Sequence, residues 1–401
     1  MQTSKTENII LWRQVFGLAT VQGAISLTWL IYRMYLPQLL AGFGFPGLDQ
    51  LIQIIEDAVA MIMEPITGGI SDRTKEFMGV KFPLIVLGII LSSVLFIAIP
   101  SVFIFAQPLQ SLHWLLPVVL ILWAMAMAIF RSPTLALIGK AAARPQLPQA
   151  ASVLILIGGT VGAFKSIANN FILNLGPGFA FFIGSLVLLG AMVVLRSVFS
   201  HTTTTAEISE TATNSESVSI SALVFLFTIA FGIAWGVRLG MGALPGSFKN
   251  QFPQQNTDVL MFIVSLILAF LALPAGKLAV RLGNQKCILF GLMTTALMIL
   301  AIEFFPSFLV VEVLIFIIAL SFVLNGVIPL ALSLVSPQHG GLAIGMYFGG
   351  FTGAMSLFSY LFSKPLPSSQ AAFVGAIALF LAATGVIFSN RLLFNSDSAT
   401  P

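Results

Sequence analysis

Apolar runs near or above 18 residues recur along the whole chain, separated by short polar breaks. Each is long enough to cross a hydrocarbon core of about 30 Å as an α-helix, the form in which a single segment satisfies its own backbone N–H and C=O groups. The pattern predicts spans over 12–40, 50–70, 82–105, 114–139, 150–174, 178–199, 220–244, 257–280, 287–305, 309–335, 341–362 and 370–394. One clearly hydrophilic stretch, 201–219, rich in Thr, Ser and Glu, lies between the sixth and seventh spans and reads as a flexible linker. The expected architecture is an all-α membrane protein of two pseudo-symmetric bundles. An N-terminal six-helix bundle covers 1–199, a linker 200–219, and a C-terminal six-helix bundle 220–401.

Composition agrees with that pattern. Of 401 residues, 58% are hydrophobic and 8% charged, against roughly 25% charged in soluble domains. No water-soluble surface can be built from this, so the membrane is the solvent. The single cysteine, Cys287, excludes an internal disulfide framework, and His113, His201 and His339 are too scattered for a metal site. No cofactor is expected. The net charge of +4 is explained by basic loops kept in the cytoplasm, not by a nucleic-acid partner. With the N-terminus inside, the cytoplasmic segments hold Lys5, Arg13, Arg73, Lys75, Lys81, Lys140, Arg144, Arg196, Lys277, Arg281, Lys286 and Arg391, and the outside only Lys249 and Lys364. Both termini and the linker are therefore expected in the cytoplasm of a multi-pass inner-membrane protein. Residues 1–10 are polar and no small-residue cleavage site closes the first apolar run, which reads as a retained span.

The halves repeat each other weakly. Trp29 and Arg33 followed by Pro37 in the first span answer to Trp235 and Arg238 followed by Pro245 in the seventh. Gly158-Gly159-Thr160-Val161-Gly162-Ala163 in the fifth shares its Gly-Gly-x-x-Gly-Ala spelling with Gly349-Gly350-Phe351-Thr352-Gly353-Ala354 in the eleventh. Matches in the right order point to a duplicated six-helix unit.

The most specific segment leaves the second span: Glu64-Pro65-Ile66-Thr67-Gly68-Gly69-Ile70-Ser71-Asp72-Arg73-Thr74-Lys75, then Phe77, Gly79, Lys81 and Pro83. Gly68 through Arg73 resembles the Gly-x-Leu-Ala-Asp-Arg loop that major facilitator transporters carry between helices 2 and 3. Its counterpart, Gly276-Lys277-Leu278-Ala279-Val280-Arg281, has Val280 in place of the acid. Small residues let helices approach, while Asp72 and Arg73 can lock neighbouring helix ends through charge-assisted hydrogen bonds. Gly68, Asp72, Arg73, Gly276 and Arg281 are thus gating candidates. The longer spelling is similar to the glycoside-pentoside-hexuronide cation symporters and the related sucrose transporters. That resemblance implies the major facilitator fold and transport of a sugar or related polar solute together with a cation. The sodium-coupled sugar members carry a second acid one turn before the first, where this chain has Ala60, and the basic cluster before the Pro is reduced to Lys81. These departures favour protons over a metal cation, with Glu64 as carrier.

A charge near a helix centre costs at least about 2.5–3.5 kcal/mol on insertion scales, so each one is a functional candidate or a satisfied structural pair. In the first half Arg33, Arg131 and Lys165 stand against Glu56, Asp57 and Glu64. At 100° per residue Gln53, Asp57 and Glu64 share one face of the second span, and Gln22, Ser26, Trp29 and Arg33 form a stripe on the first. Both stripes are expected to face a central cavity. Depth pairs Glu64 with Arg131, and Asp57 with Arg33 or Lys165. Arg238 has no intramembrane acid in its own half; it suits an anionic or hydroxyl-rich ligand if it faces the cavity, or else snorkels to the outer interface.

Trp29, Tyr32, Tyr35, Trp123, Trp235 and Tyr347 can stack on a sugar ring, or serve as interfacial belts and helix contacts. Asn169, Asn170, Asn174 and Asn325 can bond hydroxyls or neighbouring helices. Gly341, Gly345, Gly349 and Gly353 recur every fourth residue, the spacing of a close helix contact or a rocking surface. A membrane enzyme is excluded for want of a clustered nucleophile, base and orienting acid. A non-transporting pigment- or lipophile-delivery protein on the same fold is the alternative to a monomeric transporter, and the Asp72-Arg73 loop with the buried acids favours transport.

Overall fold

The computed structural model describes residues 9–78, 82–106, 112–200, 219–362, 364 and 366–397. The linker at 201–218 and the 79–81 end of the loop signature lie outside the described residues. Fourteen α-helices form among those described, of which Ile138–Ala141 and Asn169–Asn174 are short. The other twelve are α1 (Trp12–Gly42), α2 (Asp49–Met78), α3 (Phe82–Ala106), α4 (Leu115–Ala136), α5 (Leu147–Ala163), α6 (Pro177–Ser200), α7 (Ile220–Gln251), α8 (Thr257–Leu282), α9 (Asn284–Phe304), α10 (Leu309–Ser333), α11 (Gly340–Leu361) and α12 (Ser368–Asp397).

Eleven of these segments are long and apolar enough to cross a membrane. The exception is α2, whose low hydropathy comes from Asp49, Glu56, Asp57, Glu64, Asp72 and Arg73. Its acidic side chains Glu56, Glu64 and Asp72 are buried against neighbouring helices, while Ile62, Ile66 and Ile70 are exposed on its other side. Large apolar side chains such as Leu87, Val94, Val193, Phe290, Leu297 and Leu381 are exposed on the outside of the bundle, as a lipid-facing surface requires.

Three predicted spans need correction. The fifth is not continuous over 150–174: α5 ends at Ala163, a 3-10 turn covers Phe164–Ser166, and a short helix resumes at Asn169. Lys165 sits on that break. The second and seventh spans run well past 70 and 244, because residues beyond the hydrocarbon still complete helical turns. Polar residues set the helix ends where the chain leaves lipid. Asn256 caps α8 by accepting from the N–H groups of Asp258 and Val259 at 2.9 and 3.3 Å. Gly283, at φ +95°, makes the one-residue turn between α8 and α9 that a side chain would strain.

The helices pack as two repeats of one plan. In the first half α1 lies against α5 and α6, α3 against α4 and α6, and α2 against α4. In the second, α7 lies against α11 and α12, α9 against α10 and α12, and α8 against α10. The halves meet along two seams, α2 with α11 and α5 with α8, flanked by α4 with α11 and α5 with α10. Each of these contacts has its mate under exchange of the halves. The shared Gly-Gly spelling is not in structural register, however. Gly159 faces Ala269 of α8, across a seam, whereas Gly350 faces Phe227 of α7, within its own half.

An aromatic cluster fixes the first half. Trp123 of α4 packs on Tyr32 of α1 and Phe96 of α3 with ring centroids 4.4 and 5.1 Å apart, and Phe96 lies 4.4 Å from Phe181 of α6. All four are fully buried, so the faces of α1 and α4 that turn towards the second half are held from behind.

Candidate functional site

A cavity of about 430 Å³ lies between the halves. The first half contributes Trp29, Arg33, Gln53, Glu56, Asp57, Ala60, Glu64, Met127, Ala128, Arg131 and Lys165, and the second Arg238, Phe351, Thr352, Met355 and Ser359. On α2 the lining positions 53, 57, 60 and 64 follow helical spacing, which is why one stripe reaches the cavity along its length. Ala60, where the resembled sodium-coupled transporters carry a second acid, is part of this wall.

Glu64 closes one end. Its Oε1 lies 2.7 Å from Arg131 Nε, and the Ser132 hydroxyl donates to its other oxygen. The carboxylate is 1% exposed, so the pair stands in a low-dielectric site with its remaining acceptor satisfied. The Arg131 guanidinium also lies over the Phe348 ring of α11 at 4.3 Å, so this α4 cation touches both halves. The expected Glu64–Arg131 pairing is therefore formed.

The second pair differs from expectation. Arg33 forms its ion pair with Glu56, at 3.2 Å, and not with Asp57. The Tyr32 hydroxyl donates to the other Glu56 oxygen, and the Arg33 guanidinium lies 5.0 Å from the Trp29 ring and 5.6 Å from that of Tyr32. Glu56 and Asp57 are adjacent and so point about 100° apart. The rotation of α2 turns Glu56 towards α1 and leaves Asp57 on the cavity wall.

Among the described residues, Asp57, Lys165 and Arg238 have no opposite charge within ion-pair distance. Asp57 feels Arg33, Arg131 and Arg238 electrostatically. Lys165 feels two cations, Arg238 and Arg33. Of the two readings open for Arg238, the cavity is where it lies, with its guanidinium 5.2 Å from the Phe358 ring.

Other candidates lie elsewhere. Trp235 donates its indole N–H to the Ala354 carbonyl at 2.7 Å and packs on Phe231, Phe358 and Phe362, joining α7 to α11. Asn325 is fully buried in α10 and bonds back to the Ser321 carbonyl at 2.8 Å. Asn169 is exposed at the start of the short helix after the α5 break. Gln22 and Ser26 of the α1 stripe face Gly158 of α5. None of these five lines the cavity. Helix periodicity gives a face but not the partner that covers it.

The loop signature lies at the far end of α2. The Asp72 carboxylate accepts from the main-chain N–H groups of Gly341 at 3.0 Å and Leu342 at 2.7 Å, capping the first turn of α11 in the other half. An anion there meets both unsatisfied donors and the positive end of the helix dipole. Gly68 permits the approach: a Cβ at either Gly68 or Gly341 would overlap the carbonyl oxygen of the other. On the second seam a Cβ at Gly276 would come within 2.7 Å of the Pro148 carbonyl oxygen and of Ser152 Cβ, so the α8 glycine meets the start of α5 as Gly68 meets α11. Val280 offers no acceptor there. Arg73 and Arg281 are exposed. At this same end Arg144 donates to the Val335 carbonyl at 3.1 Å, a further tie between the halves.

Sequence reasoning missed Ser132, Phe348 and Met355. Ser132 had a signal, a hydroxyl beside an intramembrane arginine. Phe348 and Met355 had none, since only the packing of α11 against the first half brings Phe348 to Arg131 and Met355 to the cavity.

No protein-family model matches the chain, and no curated protein matches it by sequence. Solved structures do. The crystal structure of a bacterial homologue of the iron transporter ferroportin, in its outward-facing state, superposes with a TM-score of 0.72 at 17% identity, over 94% of this chain and 99% of that one. A second structure of that homologue, soaked with iron, gives 0.70 at 16% identity, with 94% and 99% covered. The human organic anion transporter MFSD10 (TETRAN) gives 0.66 at 14% identity, over 92% and 99%. At these identities the likeness speaks for architecture alone, and that architecture is the major facilitator fold: two six-helix halves enclosing a central cavity.

Proposed function

We propose that the protein is a secondary transporter that moves a small polar solute through the cavity by alternating access, driven by protons carried on Glu64. The observation that carries this reading is the placement of Glu64 and Asp72 on one helix. α2 presents a buried carboxylate to the cavity and, two turns on, a second carboxylate that holds the other half shut. A change in the charge of Glu64 thus acts on the helix that carries the latch.

The solved structures that share the fold are described as transporters, which supports transport over delivery without translocation. A sugar or related compound is suggested by the loop resemblance. Among the described residues no group of three or more His, Cys, Asp or Glu side chains is placed to hold a metal ion, so the iron of the ferroportin homologue is not carried over. We place the protein in the inner membrane as a monomer with both termini cytoplasmic. The test is solute uptake by the purified protein in liposomes, with and without an imposed pH gradient. Uptake that ignores the gradient removes proton coupling, and no uptake of any polar solute removes transport.

A further inference from the structure

We infer that the solute is a small organic anion, and that its anionic group is bound between Lys165 and Arg238. This rests on the transport reading of the cavity and narrows its substrate class.

The cavity wall carries four cations, Arg33, Arg131, Lys165 and Arg238, and three carboxylates, Glu56, Asp57 and Glu64. Two of each are spent in the Arg33–Glu56 and Arg131–Glu64 pairs. Asp57 is left among three arginines. Lys165 is left facing two positive charges, Arg238 and Arg33, with no carboxylate at ion-pair distance. Both Lys165 and Arg238 are exposed on the cavity wall, open to a ligand, and like charges gathered on one wall repel unless an anion stands between them.

The two cations come from different halves and different kinds of backbone. Lys165 lies on the break between α5 and the short helix that follows, and Arg238 on α7. The ring of Phe358 lies under the guanidinium of Arg238, an arrangement that leaves the planar edge of N–H donors for a bidentate carboxylate. The Trp29 indole N–H, buried without a hydrogen-bond partner, adds an unused donor to the same wall. Phe351 and Met355 give the cavity an apolar side, fitted to the carbon body of the solute. An anion bridging Lys165 and Arg238 draws the halves together around itself. A proton on Glu64 removes a negative charge from the same cavity, so proton and anion enter as an electrically neutral pair.

The test uses the full-length protein in lipid nanodiscs, with binding measured calorimetrically for three charged and neutral probe pairs: benzoate and benzamide, glucuronate and glucose, succinate and succinamide. At least one anion should bind saturably, tenfold or more tighter than its neutral partner. Lys165→Met and Arg238→Gln should each weaken that binding tenfold or more. Arg238→Lys, which keeps the charge, should retain more affinity than Arg238→Gln, and thermal denaturation of each variant checks that it is folded. Equal affinity for the neutral partner, binding by no anion, or binding untouched in both folded charge-removal variants overturns the inference. Proteoliposome uptake separates the two readings. Anion binding without uptake refutes transport and keeps the anion site, whereas uptake of a neutral solute unchanged by Lys165→Met and Arg238→Gln keeps transport and refutes the anion site.

Discussion

The main-chain carbonyl of Glu64 backs onto Gly345 so closely that a methyl group at position 345 would overlap it. The side chain of the same residue reaches the opposite way, to Arg131 and Ser132 of α4. One residue therefore joins the charge inside the cavity to the seam between the halves. Any adjustment of the carboxylate against Arg131 is felt by a backbone that has no slack against α11.

Glu64→Gln should abolish accumulation of solute against a gradient and leave downhill exchange running. The amide copies the protonated acid in size but cannot lose a proton. Uptake and exchange in liposomes of known internal pH measure both. Accumulation at the unmodified level would take Glu64 out of the mechanism and bring Asp57 forward.

Asp72→Asn should slow turnover about tenfold and change solute affinity little, because the residue touches the first turn of α11 and not the cavity. An anion at a helix N-terminus is worth up to about 2 kcal/mol in a partly buried site, and an amide keeps an acceptor without the charge. Initial uptake rates set beside calorimetric affinities decide it. A matching loss of affinity would place Asp72 in the binding site.

Gly345→Val should lower the melting temperature and block transport together. The extra methyl groups have only the Glu64 carbonyl and Pro65 to press on, and overpacking of this kind costs about 1–3 kcal/mol. Gly178, where an added Cβ meets nothing nearby, serves as the control: Gly178→Ala should be neutral in both measurements. Equal behaviour of the two variants would contradict the close packing of this seam.

The adjacent acids Glu56 and Asp57 should separate in stability. Glu56→Gln breaks the ion pair with Arg33 and leaves one acceptor oxygen where the carboxylate offered two, to Arg33 and to Tyr32. Stranding a buried partner costs about 3–5 kcal/mol, reduced here because Arg33 is 26% exposed. Asp57→Asn has no ion pair to break, and its melting temperature should stay near that of the parent. Equal falls in thermal denaturation would mean that Asp57 is also structurally held.

These cases show what the sequence can and cannot reveal. Helix number and position were legible because span length and hydropathy are set by the bilayer, and even the charged α2 was visible from its flanking breaks. The Glu64–Arg131 pair was legible from depth, since both lie a similar distance from the same end of the bundle. Arg33 choosing Glu56 over Asp57 was not, because it depends on the exact rotation of α2 about its axis, which the stripe of Gln53, Asp57 and Glu64 does not fix finely enough to say which of two adjacent acids turns to α1. Nor was the α5 break, with no proline to announce it near Lys165, or the partner of Asp72, which lies 269 residues further along the chain.

Orientation is tested by labelling. In a Cys287→Ser background, cysteine at Gln254, in the exposed turn before α8, should react with an impermeant reagent on intact cells. Cysteine at Gln338, before α11, should react only after lysis. The reverse result would invert the topology drawn from the Lys and Arg asymmetry.

The valine at position 280 makes the two seams mechanically unequal. Where α2 meets α11, separation must break two hydrogen bonds to a carboxylate; where α8 meets the start of α5, the contact at Gly276 is one of packed surfaces, with the single Arg144 bond to the Val335 carbonyl beside it. Parting the halves at this end thus meets most resistance along one edge and least along the other. If the protein transports as proposed, the mouth should widen as a wedge with α2 and α11 as its spine, and the solute should enter or leave past α5 and α8.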